Sequence, residues 1–310
     1  MDGTEQRQPP PGPADGGTGG EEIRLEGVSK VYPDGTVGVA ELDLTFAAGE
    51  LSVLVGPSGC GKTTTMKMIN RIIEPSTGRI MLGGEDVTRV DPVALRRRIG
   101  YVIQSVGLFP HQTVRANVGT VPRLLGWDRQ RVRDRVDELL ATVGLEPARF
   151  GDRYPAQLSG GQRQRAGVAR ALAADPAVLL MDEPFSAVDP VVRERLQSEF
   201  LRLQEAVRKT IVFVTHDIEE AVRLGDRIAV MSEGGHVEQF APPGEVLGRP
   251  ASPFVADFVG ADRGLKRLAV TSVGEGDLEQ PPVVHVTDGL ADARAALERT
   301  GARWAVVVDD

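Results

Sequence analysis

The residues best suited to chemistry lie between Leu51 and Thr65, where LSVLV is followed by GPSGCGKT and two further threonines. Gly56, Gly59 and Gly61 stand where only a residue without Cβ lets backbone N–H groups converge on a small anion. Lys62 adds a positive point charge, and Thr63 a hydroxyl able to ligate magnesium. The spacing G-x-x-x-x-G-K-[ST] from Gly56 to Thr63 is that of a phosphate-binding P-loop, which implies a nucleoside triphosphate as ligand.

The flanking elements fit that reading. Leu51–Val55 is apolar and β-prone, as a buried strand requires. Behind the loop, Met66, Ile69 and Ile73 recur at helical spacing, so the loop ends at a helix N-terminus where the macrodipole favours phosphate. Cys60 is the single cysteine of the chain. It excludes an intrachain disulfide and points to a reducing compartment. In the loop it serves as a small residue that fits, with a redox switch as the alternative.

Further candidates follow along the chain. AVLLMDEP, residues 177–184, reads as a buried strand ending in two carboxylates. Asp182 suits magnesium held through water, and Glu183 suits a general base polarising an attacking water. TIVFVT is a second buried strand and ends in His216, where open α/β sheets place ligands. Asp217 and Glu220 have the D-x-x-E spacing of a capping box for the next helix, which Gly225 ends. Ser159 is an N-cap with Gly160 and Gly161 behind it, a second anion-type helix start. Two such starts with one phosphate loop suggest halves that face each other across a dimer.

Tyr32, before the Pro33-Asp34-Gly35 turn, is either half-buried packing or an adenine-stacking ring. Gln104 can ligate a metal or orient a water, as can any surface glutamine. Val106–Pro110 is an apolar loop with Gly and Pro, a docking-surface candidate.

The elements that must hold these residues are legible from period and punctuation. Ile23 and Leu25, like Leu42, Leu44 and Phe46, alternate with polar neighbours and give two antiparallel-type strands. RIMLGGEDV reads as a hairpin, and a short strand is expected over Tyr101–Gln104. Val132, Val136, Leu139, Leu140 and Val143 share a face of a helix over 131–143 that Gly144 stops. Asp189 caps a helix that Pro190 begins, with Val192, Leu196, Phe200, Leu203 and Val207 on its buried stripe.

At 310 residues and 41% apolar, a main domain plus an appendage is expected. A net charge of −8 argues against nucleic acid as the main partner. No apolar run approaches the ~20 residues of a membrane span. The N-terminus lacks a signal-peptide pattern. Residues 1–20 hold four prolines and six glycines with almost nothing apolar, and are expected to be disordered.

Together, Tyr32 with YPDG, GPSGCGKT, Gln104, LSGGQ at 158–162, Asp182-Glu183, FSAVDP and VTHD stand in the order of ABC-transporter ATPase subunits, which residues 21–260 resemble. YPDGT, KMINRIIEP, DPVALRRRIGYVIQSVGLFPHQTVRANV and DRYPAQLSGGQRQR are similar to the ATPases of quaternary-amine importers. Ser186-Ala187-Val188 stands where that group more often has Gly-Ala-Leu, and no functional change is expected. The resemblance implies an α/β P-loop NTPase with a RecA-like core, an antiparallel β subdomain and a helical subdomain over about 105–165.

It also implies roles. Tyr32 would stack adenine. Gly56, Pro57, Ser58, Gly59, Cys60, Gly61, Lys62, Thr63 and Thr64 would wrap the phosphates. Thr63, Gln104 and Asp182 would serve Mg2+, and Gln104 would link the site to the membrane partner. Ser159, Gly160, Gly161 and Gln162 would complete the ATP site of the opposite protomer. Glu183 would be the base, His216 the switch histidine and Asp189 the D-loop aspartate. Val106–Pro110 would help receive a coupling helix of the permease.

The implied partners are a second copy, a membrane permease and, through it, an extracytoplasmic substrate-binding protein, at the cytoplasmic face of the cell membrane. The implied cargo is glycine betaine, carnitine, choline or proline betaine. Another small-solute or amino-acid importer, and a soluble ATPase acting on nucleic acid or ribosomes, are the alternatives. Residues 261–310 read strand, helix, strand and resemble an incomplete CBS module behind a linker.

Overall fold

The computed structural model of the protein describes residues 20–103, 107–186, 188, 190–268, 270 and 281–309. The N-terminal segment expected to be disordered lies, apart from Gly20, outside them. The described chain forms two compact units that divide after Val270.

In the first unit, β1 (Ile23–Val31) and β2 (Val37–Phe46) pair antiparallel, with Ile23 opposite Phe46 and Leu25 opposite Leu44. Their alternating apolar side chains are buried on one face, as the period of two requires. Next come β3 (Leu51–Val55), wholly buried, and α1 (Lys62–Ile69). The α1 helix stops short of Ile73, because Arg71 adopts a left-handed backbone at φ 49°. The hairpin of β4 (Thr77–Leu82) and β5 (Glu85–Asp86) completes a four-stranded antiparallel sheet in the order β2-β1-β4-β5.

Two elements then lead back to the main sheet, α2 (Pro92–Arg98) and β6 (Ile99–Val102). The β6 strand starts two residues before the expected Tyr101, because Ile99 and Gly100 pair with Val178 and Leu179. A helical segment follows: α3 (Val114–Val118), α4 (Thr120–Leu124), α5 (Arg129–Thr142), α6 (Pro147–Phe150) and α7 (Gly160–Leu172). Asp128, which the periodicity did not single out, caps α5 by accepting from the N–H groups of Gln130 and Arg131.

The chain returns through β7 (Val178–Asp182), α8 (Pro190–Val207), β8 (Thr210–Thr215), α9 (Ile218–Leu224), β9 (Arg227–Ser232) and β10 (His236–Ala241). The second sheet has the order β10-β9-β3-β8-β7-β6, parallel except for the β9/β10 hairpin. The middle strands β3, β7 and β8 carry no exposed residue. That is the continuous burial expected of a parallel sheet covered on both faces, worth roughly 1.5–3 kcal/mol per Val, Leu or Phe. Three helices close this unit: α10 (Pro243–Gly248), α11 (Pro253–Val259) and α12 (Arg263–Leu268).

The second unit, described by itself, is β11 (Val283–His285), α13 (Leu290–Thr300) and β12 (Val306–Val308). Its two strands pair in parallel, so the order is strand, helix, strand. Among the described residues, no helix is long and apolar enough to cross a membrane.

Candidate active site

The carboxyl ends of β3, β7 and β8 lie side by side in register, with Val55 beside Thr215 and Asp182 beside Val214. Each candidate group follows one of these ends. After β3 the chain turns through Gly56 and Gly61, at φ 156° and 96°. A Cβ on Gly56 would fall 2.2 Å from the Met231 carbonyl oxygen, and one on Gly61 would fall 2.6 Å from that of Gly38. Both glycines are therefore required by backbone approach as well as by dihedral angle. Gly59, at the exposed crest beside Ser58, meets nothing within 4 Å.

Lys62 is 5% exposed, and its Nζ donates to the carbonyl oxygens of Gly56 and Pro57, both at 2.8 Å. The loop thus holds its own cation over the turn. Cys60 is fully buried with Sγ 3.5 Å from that Nζ, which fits the reading of a small residue packed in the loop. Thr63 Oγ1 donates to Asp182 Oδ1 at 2.9 Å, joining α1 to the end of β7 across 119 residues. Burial raises the Asp182 carboxyl above its ordinary range, opposed by the Thr63 hydroxyl and the charges of Lys67 and Lys62. A desolvated carboxylate beside a threonine hydroxyl fits a divalent cation bound mostly through water and phosphate oxygens.

Glu183 follows with a left-handed backbone at φ 44°. Its N–H donates to Val214 O at 3.0 Å, and its carbonyl accepts from Ser186 N at 3.2 Å and Ser186 Oγ at 2.9 Å. Such over-determination is what keeps a non-glycine residue in that region. The side chain points to the next strand end, where His216 Nδ1 lies 3.3 Å from Glu183 Oε1. The structure therefore brings Lys62, Thr63, Asp182, Glu183 and His216 to one edge of the sheet.

The Tyr32 ring is partly buried against Gly38, with its hydroxyl 3.4 Å from Thr64 Oγ1. Ser159 caps α7: its Oγ accepts from Gln162 N at 3.3 Å, and Gln162 Oε1 accepts from Ser159 N at 2.9 Å. Gln162, expected as a ligand contact, is thus half of a capping box within this chain. Among the described residues, no hydrogen bond or ion pair is seen between Ser159–Gln162 and Lys62, Thr63 or Asp182. Gln104 and Asp189, and Val106 of the expected docking loop, lie outside the described residues.

The capping box expected of Asp217 and Glu220 is only half formed. Asp217 Oδ1 caps α9, accepting from Glu219 N at 2.8 Å and Glu220 N at 3.4 Å. Glu220 does not reach back. It is 7% exposed and accepts from Gln197 Nε2 at 2.8 Å, while Asp217 N goes to Thr215 Oγ1 at 3.0 Å. A polar residue next to Leu196 on the buried side of α8 was the one signal for Gln197. Asn117, fully buried on α3, also escaped the sequence reading. Its amide accepts from Phe109 N at 2.7 Å and donates to the carbonyls of Phe109, Gln112 and Thr113, fixing the loop over 109–113.

A buried lysine in a glycine turn, a threonine–aspartate pair and a glutamate–histidine pair on adjacent parallel strands define a P-loop nucleoside triphosphatase. Residues 39–186 match the family model described as ABC transporter. The osmoprotectant import ATP-binding protein OsmV of Salmonella typhimurium is 48% identical over 93% of this chain and 76% of its own. The glycine betaine/carnitine/choline transport ATP-binding protein OpuCA of Bacillus subtilis is 54% identical over 78% of this chain, which spans 63% of that protein. The dimeric post-hydrolysis structure of the ATP-binding cassette MJ0796, bound to ADP and Pi, is 33% identical, with a TM-score of 0.65 over 71% of this chain and 98% of that one. This chain belongs to the ABC transporter family, as an ATP-binding and ATP-hydrolysing subunit.

Proposed function

We propose that this subunit energises an importer for quaternary-amine osmoprotectants such as glycine betaine, choline and carnitine. The observation that carries the ATPase chemistry is the convergence of the Thr63–Asp182 and Glu183–His216 pairs behind the buried Lys62. The names of the similar import proteins support the cargo.

In this reading the Lys62 ammonium exchanges its two carbonyl acceptors for β- and γ-phosphate oxygens. Gly56–Thr64 supply backbone N–H groups, and Tyr32 stacks on the base. Thr63 and Asp182, with Gln104, hold Mg2+, which neutralises phosphate charge when bound. Glu183 takes a proton from the attacking water, and His216, beside it, orients the γ-phosphate or that water. Positioning and charge stabilisation supply most of the catalysis, with the base adding about 10²–10⁴-fold.

Ser159, Gly160 and Gly161 complete the site of a second copy, with Asp189 at the same junction. The Ser159–Gln162 capping box at the start of α7, which leaves Gly160 exposed and Gly161 partly exposed at that helix start, supports that arrangement. ATP binding then favours a closed pair and hydrolysis releases it, driving a membrane permease that works with an extracytoplasmic binding protein. The subunit would sit at the cytoplasmic face of the membrane. We assign residues 21–260 to the ATPase domain and 261–310 to a linker and partial CBS-like segment, an assignment supported by the strand–helix–strand order of the second unit.

Reconstitution with the permease and binding protein tests the proposal. ATP-dependent uptake of labelled glycine betaine, choline or carnitine, absent with Glu183→Gln, is expected. Uptake of an amino acid with none of these amines would overturn the cargo and leave the ATPase standing.

A further inference from the structure

The His216 turn and the turn after Glu183 are held by a polar network that the chemistry above does not use. The α8 helix starts directly after the Glu183 turn and presents Arg193 and Gln197, four residues apart and therefore on one face. Arg193 Nη2 donates to the Val188 carbonyl at 3.1 Å, five residues beyond Glu183. Arg193 Nη1 lies 4.0 Å from Asp217 Oδ2, next to His216. One turn on, Gln197 Nε2 donates to Glu220 Oε1 at 2.8 Å, with both side chains buried. The Thr215 hydroxyl oxygen accepts from Asp217 N at 3.0 Å. Asp217, which follows His216, thus faces Arg193 on α8 and is itself bonded through its N–H to Thr215, which precedes His216.

Arg193 is an expensive way to join two helices. Its Nε is buried with no hydrogen-bond partner. An apolar residue at that position would leave no donor unmet. What the guanidinium does that an apolar residue cannot is reach the backbone after Glu183 and the carboxylate after His216 together, with a planar fork of fixed geometry.

We propose that Arg193, backed by the Gln197–Glu220 pair, is a positioning residue that sets His216 against Glu183. The inference rests on the roles assigned above to those two residues. A purely structural Arg193 would lower the melting temperature and leave the turnover of the folded protein unchanged. A positioning Arg193 lowers kcat and leaves ATP binding alone, since Lys62 and the glycine turn lie on other elements.

Steady-state ATPase kinetics of the full chain, with binding of a fluorescent ATP analogue as a second readout, distinguish the two. For Arg193→Met, kcat is expected to fall by about tenfold or more, with KM and the analogue's Kd within about twofold of wild type. Arg193→Lys, which keeps the charge but not the fork, should recover part of that loss. Combined with His216→Ala, Arg193→Met should add less than about twofold to the loss from His216→Ala alone, because both act through one group. Should Arg193→Met not fold, Gln197→Leu is expected to show the same split between kcat and KM. Wild-type kcat in Arg193→Met or Gln197→Leu, or losses that multiply with that of His216→Ala, would overturn the proposal. Wild-type turnover in His216→Ala would instead overturn the role given to His216.

Discussion

The left-handed backbone at Glu183 can be weighed by comparing two truncations at that one position. Glu183→Ala removes the carboxylate but keeps a Cβ at φ 44°; Glu183→Gly removes the carboxylate and the Cβ together. Every contact of the side chain beyond Cβ is lost equally in the two variants, so their difference reports the backbone alone. A left-handed residue with a Cβ carries about 1–2 kcal/mol of strain. At an ordinary position the same exchange runs the other way, with glycine destabilising by roughly 0.5–1 kcal/mol through the entropy of the unfolded chain. At Glu183 the strain term exceeds the entropy term, and Glu183→Gly should be the more stable by up to about 1.5 kcal/mol. For a unit of this size 1 kcal/mol moves the melting temperature by about 2–4 °C, so a gap of a few degrees is expected by calorimetry. Both variants should be inactive. A melting temperature for Glu183→Gly at or below that of Glu183→Ala would refute the argument that the site stores strain at its base.

Three further outcomes are expected. Glu183→Gln keeps the shape and backbone and removes the charge, so turnover should fall about 10²–10⁴-fold with ATP-analogue affinity within about twofold; unaltered turnover would sink the assignment of the base. Glu220 has its pKa raised by burial, against the opposing Thr215 and Gln197 hydrogen bonds, so its protonated form favours the folded state. That contribution is complete below the ordinary value of 4.5 and is lost as pH rises through the raised pKa. Wild type should therefore lose stability relative to Glu220→Gln as pH rises above 4.5; a pH-independent difference in melting temperature would contradict this. Asn117→Ala strands the Phe109 N–H and the Gln112 carbonyl, and should destabilise by about 1–3 kcal/mol in urea titration and weaken recovery of the permease. Full recovery with an unchanged urea midpoint would show that the loop over 109–113 holds itself.

What could be read from the sequence is what is local in it. The phosphate turn has all its requirements within eight residues, so glycines, lysine and threonine announce themselves at fixed spacing. The alternation of Ile23, Leu25, Leu42 and Leu44 and the Ser159 cap were legible for the same reason: each is decided by neighbours two to four residues away. The approach of Thr63 to Asp182 spans 119 residues and could be anticipated only because both end a buried strand or begin a helix. Glu220 misled. Its D-x-x-E spacing is a true capping pattern, but Gln197, 23 residues upstream, takes the carboxylate, and the hydroxyl of Thr215 takes the N–H the box would have used. The start of β6 was missed because Gly100 has no β signal of its own; it is a strand residue only through pairing with Leu179.

Unfavourable terms occur at both ends of the main sheet. Glu183 carries a strained backbone, Arg193 an unmet buried donor, and Asp182 and Glu220 desolvated carboxyls. All four lie at or beside the carboxyl ends of β7 and β8. The far end of the same sheet carries such terms too: Asp175 and Arg208 are left-handed at φ 52° and 44° and Gln204 Oε1 is buried without a hydrogen-bond partner, beside the Lys209–Asp175 ion pair at 3.0 Å. What distinguishes the carboxyl ends is the desolvated Asp182 carboxyl, whose ionisation a nearby ligand charge changes directly. A phosphate's charge arriving or leaving there would act on the turns at Glu183 and His216, which the Arg193 contacts to the Val188 carbonyl and Asp217 join to α8.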